Sequence, residues 1–273
     1  MKIARHFKLV FTLVAAMGLC ACDAKNPFDS DIEIKLTGDD TPEQQPKTYK
    51  IMPIGDSLTE AADPGYRGYL YNSLIDADYN IDFVGVKQGE PSSGGDPDHS
   101  GFSGFIIGPD ANKYGANNSI MYQLDNDFKI MSVDCDVILL LIGTNDFWNI
   151  DYDTTSDGYN PWNDGAIRLA PLLDKMYSMK PNVTILVSNI TPLSNDKGYA
   201  SLFNSQVPDI VKEQKAKGRS CYFVDANSLD WQETDYKGGG DNLHFNASGY
   251  QKLAGAFYGV LEPLLKEWVK NEK

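Results

Sequence analysis

Three side chains far apart in this sequence have the types that acyl transfer needs. Ser57 stands in "IMPIGDSLTE" (51–60), where an apolar run stops abruptly at Gly-Asp-Ser. His244 stands in "DNLHFNASGYQKLA", with Asp241 three residues before it. A serine hydroxyl becomes a useful nucleophile when a base within hydrogen-bond reach takes its proton, and an acid must orient that base. Histidine is scarce: besides His6, near the N-terminus, the chain has only His99 and His244. The D-x-x-H offset can bring a carboxylate beside Nδ1 and leave Nε2 to face the serine. Each residue also has a plainer reading, Ser57 as the cap of the next helix and Asp241 as a helix cap beside a surface histidine.

Acyl transfer further needs donors where the tetrahedral oxyanion develops, each worth about 2.7–4 kcal/mol of barrier. The Ser57 N–H, at a helix start, has the helix dipole behind it. Asn145, in "GTND" after another apolar run, offers a side-chain amide, although an Asn in such a turn commonly bonds backbone. A glycine of "HSGFSGF" (99–105) can bring its N–H close to a substrate; the same residues also read as a surface loop.

These residues must be positioned by something regular. From Tyr49 onward, short apolar runs alternate with longer amphipathic ones. Strands are predicted at 49–54, 81–86, 137–142, 184–188 and 222–224, and helices at 68–75, 165–179, 200–217 and 247–270. The run "VILLLI" (137–142) lacks polar alternation, as expected of a parallel strand covered on both faces. The last helix places Leu253, Phe257, Leu261, Leu264 and Trp268 on one side. Alternating strands and helices predict a three-layer α/β/α sandwich with a mainly parallel sheet. Ligands of such sheets bind beyond the carboxyl ends of the strands, which is where Ser57 and Asn145 fall. The segment carrying Asp241 and His244 reads as a loop pinned by the final helix.

Composition and motifs exclude several classes. The chain has 273 residues, 42% hydrophobic and 23% charged, without repeats or low-complexity blocks, and one domain is expected over 48–273. G-x-S-x-G, G-x-G-x-x-G and Walker motifs are all absent from it. No Cys/His spacing suggests zinc, and the acidic residues Asp151, Asp153 and Asp157 read as a solvated loop rather than a calcium site. Cys135 and Cys221, at the starts of predicted strands, are expected to be buried free thiols.

The first 21 residues are expected to be a leader. Lys2, Arg5 and Lys8 precede a charge-free run over 9–19, too short to span a bilayer comfortably. That run ends in Leu19-Cys20-Ala21-Cys22, which resembles a bacterial lipobox, with Cys22 the residue to be lipidated. The expectation is an exported protein anchored to a bacterial membrane by lipid on Cys22, with 22–47 a polar linker in which 32–36 can add an edge strand. Losing three cations with the leader would move the formal charge from −14 to −17. A nucleic-acid partner is excluded on that ground.

Four blocks in order, "GDSLTE", "HSGFSGF", "GTND" and "DNLH", resemble those of the SGNH superfamily of GDSL esterases and lipases. The resemblance runs over about residues 50–260 and implies a flavodoxin-like fold and ester hydrolysis without metal or cofactor. It puts the nucleophile on Ser57, the oxyanion glycine on Gly104 (with Gly101 as the alternative), the amide donor on Asn145, the orienting acid on Asp241 and the base on His244. Asp146 and Arg67 read as residues that hold loops. "MPIGDSLTE", "GYRGYL" and "IDFVG" further resemble the acetylxylan-esterase-like carbohydrate esterases. Ser100 and Phe245 depart from that pattern, where an acidic residue and a Pro are frequent. The implied substrate is an acetylated polysaccharide or oligosaccharide such as xylan. Tyr66, Tyr69, Phe102, Phe105, Phe147 and Trp148 are candidate sugar-stacking rings. A lipase, thioesterase or lysophospholipase is the alternative enzyme, and a non-catalytic glycan-binding lipoprotein the alternative of another class.

Overall fold

The computed structural model describes residues 46–61, 65–89, 95–108, 117–126, 129–148, 161–193, 198–239 and 241–272. The expected leader, all but the last two linker residues, the stretch 32–36 and the acidic residues at 151, 153 and 157 lie outside them. The chain runs β1 (Tyr49–Gly55), α1 (Ser57–Glu60), α2 (Gly65–Asp76), β2 (Ile81–Phe83), β3 (Lys87–Gln88), β4 (Asp98–Gly101), α3 (Ile120–Asp125), β5 (Val137–Leu141) and α4 (Thr144–Phe147). It continues through α5 (Pro161–Met179), β6 (Thr184–Ser188), α6 (Tyr199–Ala216), β7 (Cys221–Val224), β8 (Tyr236–Gly238), β9 (Asp241–Phe245) and α7 (Ala247–Asn271). Seven strands form one sheet in the order β3-β4-β1-β5-β6-β7, with β2 beside the start of β1. All pairings in it are parallel except β3 with β4.

The unbroken apolar run of β5 follows from its place. All five of its residues are buried, and they divide by alternation between two cores. Ile138 and Leu140 pack with α5 and α6 residues such as Leu172 and Val207. Val137, Leu139 and Leu141 pack with α2 and α7 residues such as Leu70 and Phe257. Each such side chain contributes about 1.5–3 kcal/mol by leaving water, so a polar residue at either phase would be penalised.

The central strand β1 contains Pro53, which ordinarily argues against a central position. Its neighbour on one side explains the tolerance. There β1 pairs first with β2, as far as Ile51↔Phe83, and then with β4, from Ile54↔Ser100. The carbonyls of Ile51 and Gly55 face this side, accepting from the N–H groups of Val84 and Phe102, both at 2.9 Å. Pro53 is in the same phase and faces the gap between β2 and β4, so its missing N–H costs no ladder bond.

Two expected loops are strands. His99, Ser100 and Gly101 belong to β4, because "DHSG" continues the sheet beside the end of β1. "DNLHF" is β9, paired antiparallel with β8 in a two-stranded ribbon, rather than a loop before α7. The half-polar face of the ribbon hides its period. Cys221 starts β7 and is buried, whereas Cys135 lies two residues before β5 and is only half-buried; both are free thiols.

Candidate active site

Ser57 is the first residue of α1, and its cap is Asp56. The carboxylate of Asp56 accepts from the Leu58 N–H at 3.0 Å, so capping falls to the aspartate and leaves the serine hydroxyl uncommitted to the helix. Ser57 Oγ lies 3.0 Å from His244 Nε2. On the far side of the ring, Nδ1 is 3.0 and 3.2 Å from the two oxygens of Asp241. The backbone N–H groups of Leu243 and His244 donate to the same carboxylate at 3.1 and 3.0 Å. Burial pushes the Asp241 carboxyl up, but these N–H groups and the imidazole outweigh it and hold it below the usual range. An ionised Asp241 keeps the proton of a neutral ring on Nδ1, so Nε2 accepts from the serine hydroxyl.

Asn145 leaves the end of β5, the strand hydrogen-bonded to β1. Its Nδ2 donates to the Phe105 carbonyl at 3.0 Å. The next residue, Asp146, accepts from the Ile107 N–H at 3.1 Å and is 3.4 Å from the Arg168 guanidinium. From Phe102 to Ile107, backbone N–H groups donate to Gly55, Glu60, Phe102, Asn118 and Asp146 in turn. Gly104 is the exception: among the described residues its N–H has no acceptor, and neither has that of Ser57. Gly104 has φ +79° and open space where a Cβ would stand. Gly101 differs on both counts. Its N–H donates to His99 Nδ1 at 3.0 Å, and a Cβ there would come within 2.4 Å of the Glu60 nitrogen.

Several further residues hold this arrangement through backbone and buried neighbours. Glu60, the last residue of α1, accepts from the Ser103 N–H at 2.6 Å and pairs with Lys87. Buried Arg67 donates to the Thr59 carbonyl at 2.7 Å and reaches the carbonyls of Glu60 and Pro97 at 3.4 Å, closing the end of α1. That agrees with the loop-holding part expected of Arg67, and the contacts of Asp146 with that expected of Asp146. Burial, helped by the charges of Arg67 and Lys87, pushes His99 down to about 3, so it is the neutral acceptor of the Gly101 N–H. Burial pushes the Asp56 carboxyl up to about 7, against the Leu58 N–H and the hydroxyl and N–H of Thr144. Its second oxygen has no well-aligned donor, the Thr144 hydroxyl lying alongside without one either. Glu60, His99 and Thr144 act on backbone or on a buried neighbour, and such roles leave no spacing in the sequence.

The expected stacking rings are largely occupied. Tyr66 stacks on Phe257 at 5.1 Å and Phe147 packs on Phe203 at 5.2 Å, both within the cores. Phe102 is buried and stacks on half-buried Phe105 at 4.9 Å. Trp231, beside the ribbon, and Tyr236, the first residue of β8, are half-buried, and no pattern pointed to either.

Among the described residues no group of three or more His, Cys, Asp or Glu side chains is arranged to hold a metal ion. The model of the GDSL-like lipase/acylhydrolase family matches residues 51–257. The chain is similar to a multidomain esterase of Ruminococcus flavefaciens, 29% identical over 238 residues, covering 80% of this chain and 29% of that protein. It spans about half or less of the length of the curated relatives it matches. Among solved structures it resembles a Clostridium thermocellum family 3 carbohydrate esterase, 31% identical, with a TM-score of 0.64 over 82% of this chain and 100% of that one. A family 3 carbohydrate esterase of Talaromyces cellulolyticus shares the fold at 21% identity, with a TM-score of 0.62 over 80% and 99% of the two chains. The match over most of the chain, on a mainly parallel α/β sheet, shows that this protein belongs to the GDSL-like lipase/acylhydrolase family.

Proposed function

We propose that the domain hydrolyses short-chain esters, acetyl above all, on polysaccharides or oligosaccharides such as acetylated xylan. The observation that carries the reading is the hydrogen-bond chain from Ser57 Oγ through His244 to Asp241. His244 Nε2 takes the hydroxyl proton as Ser57 Oγ attacks the acyl carbon. The N–H groups of Ser57 and Gly104 and the Asn145 amide hold the resulting oxyanion. His244 returns the proton to the leaving alkoxide as the C–O bond breaks. Water then attacks the acyl-enzyme, passing its proton to His244, which gives it to the departing Ser57 oxygen. Asp241 stays ionised throughout.

The free N–H of Gly104, against the committed N–H of Gly101, supports assigning the donor to Gly104. The 31% identical carbohydrate esterase supports a glycan ester over a long acyl chain. The test is release of acid from p-nitrophenyl esters of two to sixteen carbons and from acetylated xylan, with Ser57→Ala as control. Short-chain and xylan activity, lost in the variant, is expected. A preference for long chains would favour a lipase, and no hydrolysis at all would reject the catalytic reading.

A further inference from the structure

The mechanism divides the substrate into two halves. The acyl oxygen lies toward Ser57 N–H, Gly104 and Asn145, whereas the alcohol oxygen must meet His244 Nε2 to be protonated. Whatever alcohol is released therefore leaves along the His244 side, past the β8–β9 ribbon. A cavity of about 760 Å³ opens on that ribbon. Among the described residues it is lined by Pro192 and Leu193 after β6, by Leu229, Trp231 and Tyr236, and by a polar rim. The rim comprises Asp230, Gln232, Glu233 and Asn242, all exposed. Asn242 stands between Asp241 and His244 on β9, so the cavity adjoins the strand that carries the base.

The aromatic wall is fixed before any ligand arrives. Trp231 stacks at 4.5 Å and 14° on Phe245, the buried residue that follows His244. Its indole N–H is spent on the Ala226 carbonyl at 2.9 Å, which sets the ring's orientation. The Tyr236 hydroxyl donates across to the Pro192 carbonyl at 3.4 Å, and its ring centre is 6.4 Å from that of Trp231. A preset ring with amide and carboxylate groups around it suits a neutral sugar, whose axial C–H faces pack on aromatics while its hydroxyls bond at the edge. The carboxylates of Asp230 and Glu233 disfavour an anionic glycan.

We infer that this cavity is the subsite for the sugar chain bearing the ester, with Trp231 as its platform and Gln232 and Asn242 as its hydroxyl partners. The inference rests on the ester-hydrolase reading above and names where the leaving group binds. It is tested with Trp231→Ala and with the double variant Gln232→Ala/Asn242→Ala, whose exposed side chains can be removed without opening the core. Hydrolysis of p-nitrophenyl acetate is compared with that of acetylated xylohexaose. Binding of unacetylated xylohexaose to Ser57→Ala, with and without Trp231→Ala, is measured by calorimetry. The expected result is a loss of kcat/KM on the glycan about tenfold greater than on the small ester, and loss of xylohexaose binding. Equal losses on both substrates, or xylohexaose binding that survives Trp231→Ala, would overturn the subsite while leaving ester hydrolysis standing. Failure of the wild type on p-nitrophenyl acetate would instead overturn the ester-hydrolase reading itself.

Discussion

Asp56 gives the most quantitative prediction, because a buried carboxyl next to Ser57 must trade hydration for one well-aligned bond, that from the Leu58 N–H. Burial moves it from an ordinary 3.8 to about 7. As pH rises above about 4 the unfolded chain gives up this proton, while the folded protein keeps it until about 7. The folded state then binds more protons than the unfolded one, so stability falls with rising pH across that window and levels off above it. The interval corresponds to at most about 4 kcal/mol. Asp56→Asn removes the titration while retaining an oxygen for the Leu58 N–H. It also sets an amide beside the Thr144 N–H, which adds a penalty that does not vary with pH. The slope is therefore the test. Urea unfolding of both proteins at intervals from pH 4.5 to 8.5 should show the variant gaining on the wild type by several kcal/mol between pH 4.5 and 7, then running parallel. Carboxyls held low in the fold, such as Asp174 and Asp241, have the opposite pH dependence, but both proteins share it and it cancels. Two curves parallel throughout would refute the claim that Asp56 stays protonated in the folded state below neutral pH.

Glu60 should act on rate through the Ser103 N–H beside Gly104: Glu60→Ala is expected to lower kcat on p-nitrophenyl acetate about tenfold with KM little changed, and Glu60→Gln to recover most of it. A Gln variant as slow as Ala would assign the effect to the Lys87 pair instead. Despite the opposing push of burial, Lys87 and Ser103 hold the Glu60 carboxyl low, so its contribution to stability is present above its ordinary range and lost as pH falls through its folded value. With the side chain about a third exposed, that contribution is about 1 kcal/mol or less. The two glycines should separate cleanly. Gly104→Ala meets no atom but holds a positive φ, costing about 1–2 kcal/mol and impairing turnover in a folded protein. Gly101→Ala drives a Cβ into the Glu60 backbone, and its unfolding midpoint should fall further than that of Gly104→Ala; the reverse order in denaturation would contradict the packing described here.

The legible part of this molecule is the part where chemistry or the core restricts the side chain. β5 and β6 were readable because both faces are covered, and α7 because its buried side repeats at three and four residues. Ser57, Asp241 and His244, which the structure brings into one hydrogen-bonded chain, and Asn145 stood out in the sequence because few residue types suit the parts of nucleophile, orienting acid, base and amide donor proposed for them. What stayed hidden is held by backbone. β4 is four residues long and pairs with β1 over only two positions, too little for alternation to register. Trp231 was hidden for another reason: its stacking partner Phe245 lies 14 residues away on the ribbon, so no local spacing links the two.

The four pieces of the site are not fixed with equal rigidity, and the topology explains why. Ser57 and Asn145 leave β1 and β5, which pair over five consecutive positions, so the sheet itself sets their separation. They stand at the edge where the chain departs from β1 toward β2 on one side and has β5 on the other, the crevice a parallel sheet leaves for a ligand. Gly104 and His244 have no such ladder between them. The glycine's loop is tied down by Gly55, Glu60, Asn145 and Asp146 one bond at a time. The ribbon that brings His244 is tied through Asn246, which caps α7 and donates to the carbonyls of Thr234 and Tyr236. A capping residue two positions after His244 thus ties the start of α7 to the ribbon that carries the imidazole. It follows that substitutions at the latches, more than in the sheet, are where activity can be lost without loss of fold.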